Sequence, residues 1–393
     1  MTTRRVARAA LALSLLALAV PGTAAQAKTY TVGEYRLPDR NIDQLRNRFA
    51  DQIESRYARG TWAPMKYELS NRDLRLMGLP SKKVLLAHRY KRPTAVYPSG
   101  RMVRLPARRK KGDSLSVAAT PVISYAGAGF FGIRPGAWVL LINGDSIGWC
   151  SLAHVYGGTS IATAGHCGNV GDTATVIGAL GDKTISGLPV PVLMDFGRFS
   201  ASTGDGGIGN DWALISVDAA YRPLLTPTMA FWGGPIGTYT PNGEVVSADL
   251  TTGDISVTPN PTLAQGIVHY GHGTGIGAGG TPRSGAAITW RPDHFAFFGA
   301  ITPGDSGSGS NTLTGDTVGA NREAAGINTH IFVDGSLRTG LGVMAGTRAT
   351  KPGTVTNGQI LPYPAPTPIP LPLDLWQREA CCSGRRAGAA AVQ

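Results

Sequence analysis

The sequence predicts an all-β protein, a sandwich or a barrel, preceded by a partly helical basic segment. Three observations carry that expectation. From about Pro135 the chain is a series of short apolar runs separated by Gly, Asn, Asp and Pro. Gly occurs 53 times and Pro 27 times in 393 residues, a composition of turns and short strands rather than of long helices or coiled coils. Charged residues are only 16% of the chain while 42% are hydrophobic, which is ample for a buried core and excludes disorder throughout.

Taken in order, residues 1–27 read as an export signal. Arg4, Arg5 and Arg8 precede an apolar run from Ala9 to Val20, and Ala25-Gln26-Ala27 is a small-x-small cleavage site. The run is too short to span a bilayer stably and no later stretch reaches that length, so the expectation is a secreted chain with no stable membrane anchor. Arg4-Arg5 also invites a twin-arginine reading, although no clear apolar pair follows it.

Residues 28–134 form a basic unit. They carry 22 Lys and Arg against 8 Asp and Glu, whereas residues 135–360 carry 9 against 15. The formal charge of +12 therefore belongs to the N-terminal third, and the two parts should attract each other in a salt-sensitive way. Ile42, Leu45, Phe49, Ile53 and Tyr57 make a helical stripe that Gly60 ends. A second short helix is expected from Ser70, with Asp73 as capping-box partner and Gly78 as its stop. The unit closes with Arg108-Arg109-Lys110-Lys111, either a solvated linker or a processing site between a pro-segment and a mature domain.

Strands are expected at Ala137–Ile142, Ser160–Ala164, Thr173–Ile177, Trp212–Val217, Gly266–Tyr270, Ala286–Trp290 and Ala324–Ile327. The tail, 353–393, carries prolines at 362, 364, 366, 368, 370 and 372, an extended polyproline-like pattern. Of the four cysteines, Cys150 and Cys167 are placed to bridge across a hairpin, closing a loop worth about 3 kcal/mol. Cys381 and Cys382 are adjacent in the tail and have no evident role.

Three strings carry chemistry: Thr163-Ala164-Gly165-His166-Cys167, Asn210-Asp211-Trp212-Ala213-Leu214-Ile215 and Pro303-Gly304-Asp305-Ser306-Gly307-Ser308-Gly309. Each alone is weak, but their order, His then Asp then Ser, is one of the three known orders of a nucleophilic triad. On these strings residues 135–352 resemble the secreted chymotrypsin/trypsin-like serine proteases, and within them the bacterial branch. The resemblance implies two packed six-stranded antiparallel barrels, about 135–228 and 229–352, with no cofactor and with protein or peptide substrates. It implies His166 as base, Asp211 as its orienting carboxylate and Ser306 as nucleophile, with the N–H groups of Gly304 and Ser306 as oxyanion hole. It also implies the Cys150–Cys167 disulfide and an inward-turned Asp305.

In bacterial relatives a basic side chain pairs with that aspartate, and His269-Tyr270-Gly271-His272-Gly273-Thr274-Gly275 resembles the string that carries it, which points to His269. The same resemblance puts Ala300 at the base of the primary specificity pocket and Asn328-Thr329-His330 along its wall. Without an acidic base the pocket is expected to take small or apolar side chains rather than Arg or Lys. His330 raises a preference for Glu as a competing reading, two positions out of register.

Two strings are set aside. Gly275-Ile276-Gly277-Ala278-Gly279-Gly280 has the dinucleotide-binding spacing without the strand-to-helix context. His269 and His272 have a helical zinc spacing in a segment that reads as a strand and turn, so no metal is expected. A secreted endopeptidase made as a proenzyme, with its own pro-segment as partner, is therefore the leading reading. The alternatives are a silent binding module on the same fold, or a basic-segment binder of anionic surfaces; export disfavours nucleic acid.

Overall fold

A computed structural model describes residues 32–33, 35–105, 133–239, 247–249, 254–256, 266–274, 281–313, 322–356 and 360. The export signal, the Arg108–Lys111 run, the Gly275–Gly280 string, most of the Pro-rich tail and Cys381-Cys382 lie outside the described residues.

The N-terminal segment contributes β1 (Val32–Gly33), α1 (Asp39–Glu54), β2 (Trp62–Pro64), β3 (Tyr67–Glu68), α2 (Asn71–Leu76), α3 (Lys82–Leu86), β4 (Thr94–Val96) and β5 (Met102–Arg104). Then come β6 (Trp138–Asn143), β7 (Ser146–Ser151), β8 (Val155–Tyr156), β9 (Ser160–Thr163), β10 (Thr173–Ile185), β11 (Leu188–Ser202) and β12 (Ala213–Val217). A parallel edge strand β13 (Gly237–Thr238) and a small hairpin of β14 (Ser247–Asp249) and β15 (Asp254–Ser256) follow. The last group is β16 (Gly266–Gly271), β17 (Thr281–Trp290), β18 (His294–Gly299), β19 (Gly309–Leu313), β20 (Glu323–Phe332) and β21 (Gly342–Arg348), ending in α4 (Thr350–Thr356).

These strands make two antiparallel barrels. In the second, β16, β17, β18, β21, β20 and β19 pair in turn and β19 returns to β16, a closed six-stranded ring. In the first, β7, β6, β10, β11, β12 and β9 follow one another. The chain just after β7 closes the ring: Ala153 N–H donates to the Ala162 carbonyl at 2.7 Å and Ala162 N–H to that of His154 at 2.9 Å. The all-β, two-barrel expectation is thus met.

All seven expected strands are found, and β7, β8, β11, β13, β14, β15, β18, β19 and β21 are strands beyond them. β11 carries Pro189 and Pro191, which ordinarily argue against a strand; Ala179 faces Pro191 in the ladder with β10. β10 runs on to Ile185, well past the apolar run that announced it.

Alternation along β6 explains why the first barrel needs a cover. Val139 and Leu141 enter its core, while Trp138, Leu140 and Ile142 face the other way with Trp149, Ile177 and Leu193. That outer apolar face is capped by α1, whose Ile42, Leu45 and Phe49 join the same cluster, each worth roughly 1.5–3 kcal/mol on burial. Ala50 and Ile53, on the same helix, pack into the core of the second barrel. The segment also adds strands to both sheets: β1 on β10, β3 on β7 and β4 on β11 in the first, β2 on β20 in the second. Among the described residues no helix is long and apolar enough to cross a membrane.

Candidate active site

β9 ends at Thr163, and a 3-10 turn, Gly165–Cys167, puts His166 at the seam of the two barrels. A disulfide from Cys167 to Cys150, near the end of β7, pins that turn. Asp211 enters from the turn before β12. Its carboxylate accepts the His166 backbone N–H at 3.0 Å and the ring Nδ1–H at 2.5 Å. Asp211 is anchored to the other barrel through Thr347 of β21, whose hydroxyl accepts its N–H at 3.2 Å and donates to its carbonyl at 3.0 Å. Because Nδ1 faces a carboxylate it carries the proton, leaving Nε2 as acceptor for the Ser306 hydroxyl, which hydrogen-bonds to it. Burial alone would raise the Asp211 carboxyl, but His166 and its two hydrogen bonds prevail and hold it below the usual carboxylate range.

The loop between β18 and β19 shapes the surroundings of Ser306. Ser151, at the end of β7, holds two carbonyls of this loop from the other barrel: its N–H donates to that of Ser306 at 2.7 Å and its hydroxyl to that of Gly304 at 2.9 Å. The Asp305 N–H turns to the Thr302 carbonyl at 3.1 Å, while among the described residues no protein acceptor takes the N–H of Gly304 or Ser306. Gly304 has φ +99°, and a Cβ there would lie 3.0 Å from Gly273 Cα and 3.1 Å from the Trp149 ring, so both conformation and space demand glycine.

Asp305 is fully buried, and its partners correct the expectation for His269. The carboxylate accepts the N–H of Gly273 at 2.9 Å and of Thr302 at 3.1 Å, and it forms an ion pair with the buried Arg283 guanidinium. Arg283 also donates to the Gly273 carbonyl at 2.9 Å. The cation is thus Arg283 of β17, directly opposite His269 in the β16–β17 register. Burial pushes the His269 imidazole down to about 4 against the pull of Asp305, which leaves the ring neutral and unsuited to balance a carboxylate. Arg283, Ser151 and Thr347 were not singled out in the sequence; only the strand pairing brings them here.

The remaining predicted residues divide. Ala300 is half-buried just ahead of the loop that carries Ser306. Asn328 is an architectural brace: its carbonyl accepts the Gly307 N–H at 2.7 Å, and its side chain bonds the hydroxyls of Ser308 and Ser310 at 2.8 and 2.7 Å. Thr329 bonds to the Ala345 carbonyl at 3.3 Å. His330 lies beside His166 and Asp211, its ring centroid 6.4 Å from that of His166 and its Nδ1 3.8 Å from Asp211. Its nitrogens meet Thr329 Oγ1 at 2.9 Å and Asp205 at 3.3 Å, and burial moves the imidazole below its ordinary value despite Asp211. Both ring nitrogens are thus engaged within the protein.

No family model and no curated protein matches the sequence. Among solved structures, the chain is similar to one described as a glutamic acid specific serine protease that uses a novel histidine triad in substrate binding. The identity is 17%, over 58% of this chain and all of that one, with a TM-score of 0.31. It is also similar to a thermostable serine protease, AL20, from an extremophilic microorganism, at 16% identity over 54% of this chain and 89% of that one, with a TM-score of 0.33.

Proposed function

We propose that this chain is a serine endopeptidase acting through His166, Asp211 and Ser306. The observation that carries the reading is the continuous relay at the barrel seam, Ser306 hydroxyl to His166 Nε2 and His166 Nδ1–H to Asp211, beside two backbone N–H groups with no protein acceptor among the described residues. In the reaction Ser306 Oγ attacks the scissile carbonyl while its proton passes to His166 Nε2. The oxyanion is received by the N–H groups of Gly304 and Ser306, each such donor being worth roughly 3–4 kcal/mol. Collapse expels the amine, which takes the proton from His166, and leaves an acyl-enzyme that a water hydrolyses by the same steps. Asp211 holds the ring tautomer and stabilises the imidazolium.

With this activity go the organisation and location read from the sequence: a secreted proenzyme with an export signal over 1–27, a pro-segment over 28–134, the protease domain over 135–352 and a Pro-rich tail over 353–393. Peptide segments with small or apolar side chains ahead of the scissile bond are the expected substrates.

The test is covalent. A radiolabelled dialkyl phosphorofluoridate should modify the purified chain once, on Ser306, and leave Ser306→Ala unmodified; equal labelling of both would sink the proposal. Ser306→Ala should lower peptide hydrolysis by about 10⁶ and Asp211→Asn by about 10⁴, the losses known for equivalent changes in well-studied serine proteases.

A further inference from the structure

The strand β2 lies on the open edge of β20, beside the nucleophile loop. Val333 N–H donates to the Thr61 carbonyl at 2.9 Å, Trp62, Ala63 and Pro64 face Phe332, Ile331 and His330, and Met65 N–H donates to the Thr329 carbonyl at 3.0 Å. The next residue of β20, Asn328, is bonded to Gly307 and Ser308, so this ladder ends at the nucleophile loop itself. Past Met65 the chain crosses to the other barrel, where β3 pairs with β7, the strand that ends in Ser151.

The polarity is that of an acylating peptide. A substrate gives Ser306 the carbonyl end of its N-terminal portion, so that portion must run toward the serine, as residues 60–65 do. An extended peptide that adds to a sheet edge is held by backbone hydrogen bonds and identified by its side chains. Pro64, which has no N–H to give, is tolerated on such an edge strand. The Met65 side chain is fully buried, in one apolar cluster with Ile301, Ala325 and Met344 of the second barrel and Ala50 and Ile53 of α1. Ile301 directly follows Ala300, and Met344 comes from β21, opposite β20.

We propose that Trp62–Met65 occupies the strand edge a substrate peptide would use, so that the intact chain blocks its own active site and the Met65 cavity marks a pocket for an unbranched or γ-branched apolar side chain. The proposal rests on the endopeptidase reading and gives that reading its regulation and substrate class.

Two probes of different size test it on the full chain. A small dialkyl phosphorofluoridate needs only Ser306 and His166; an acetyl-Ala-Pro-Met diphenyl phosphonate needs the strand edge as well. The small probe should label Ser306 readily and the peptidyl probe at least about 100-fold more slowly than it labels unblocked variants, since a tethered competitor acts at an effective concentration in the mM range. Met65→Glu, which places a charge in the apolar cavity, should restore fast peptidyl labelling, and Met65→Leu should keep the block. Trp62→Ser, which removes the ring packed 5.3 Å from Phe332 but leaves Met65, should relieve it partly. Unblocked chain should cleave peptides with Met or Leu before the scissile bond at least about 10-fold faster than those with Glu or Lys, the ratio a few apolar groups confer.

If the full chain already takes the peptidyl probe as fast as these variants do, β2 is a permanent part of the enzyme and the proposal is wrong. Should Met65→Glu not fold, the two probes on the unaltered chain still decide, because comparable labelling by both would overturn the block. Labelling by neither, in any form, would instead overturn the endopeptidase reading.

Discussion

Arg283 and Asp305 are both removed from water, and a buried carboxylate stripped of its partner is far costlier than either residue on the surface. Arg283→Met should destabilise the chain by about 3–5 kcal/mol and collapse the loop that exposes the Gly304 and Ser306 N–H groups. Guanidinium denaturation and the rate of phosphorofluoridate labelling would both register it; a variant as stable and as reactive as the parent would show that Asp305 needs no cation. Arg283→Lys should retain part of the stability, because a point charge replaces a fork that also binds the Gly273 carbonyl. The His166–Asp211–Ser306 cluster was legible in the sequence because each member sits in a short local string and the strings come in a recognised order. The partner of Asp305 was not, because it is chosen by strand register: His269 has the suggestive neighbours, but Arg283 has the charge and faces it from the next strand. His330 shows the same limit, since a wall residue in the sequence turns out to lean on Asp211.

Two helices were legible from local signals, while the short α3 was not. The apolar stripe from Ile42 to Ile53 became α1, and Ser70 and Asp73 form the expected capping box at α2. Asp73 does more than cap: it also pairs with Arg48 of α1 and so fastens one helix to the other. Burial would raise its carboxyl, but the Arg48 and Ser70 hydrogen bonds overcome that and keep it below the usual range. Asp73→Ala should therefore cost about 2 kcal/mol, more than an exposed cap, and Asp73→Asn less. Urea midpoints of the two variants would check this, and an Asp73→Ala midpoint equal to the parent would refute it. Because the folded carboxyl lies low, the stabilisation is full above the ordinary carboxylate range and fades as pH falls through the folded value. Strands were read less completely than helices. Prolines in β11 hid a strand, and the apolar run in β20 stops at Ile327 although pairing carries the strand through polar Asn328, Thr329 and His330 to Phe332.

At the level of the whole molecule, the charge asymmetry does not describe how the N-terminal segment is held. Its contacts with the barrels include the apolar cover over Trp138 and Trp149 and the added strands at four places. Arg338 of the second barrel pairs with Asp51 and Glu54 of α1, so here the acids come from the basic segment. Ionic strength should consequently change stability little, while pH should change it more. His154 is completely buried between the barrels, its Nε2 2.9 Å from Asn311 Oδ1, and burial pushes it down to about 4, as it does His269. An unfolded imidazole binds its proton near pH 6.5, so between about 6.5 and 4 the unfolded chain holds protons that the folded chain refuses. Stability should thus be full above that window and fall on acidification through it, by on the order of 3 kcal/mol for each histidine. Guanidinium midpoints of Ser306→Ala, chosen because the proposed activity would otherwise digest the sample, measured from pH 7.5 to 4.5 would give the slope. His154→Gln and His269→Gln on that background should lower stability at pH 7.5 yet each remove a share of the slope; if both retain all of it, other groups drive the acid sensitivity and these two rings titrate as ordinary histidines.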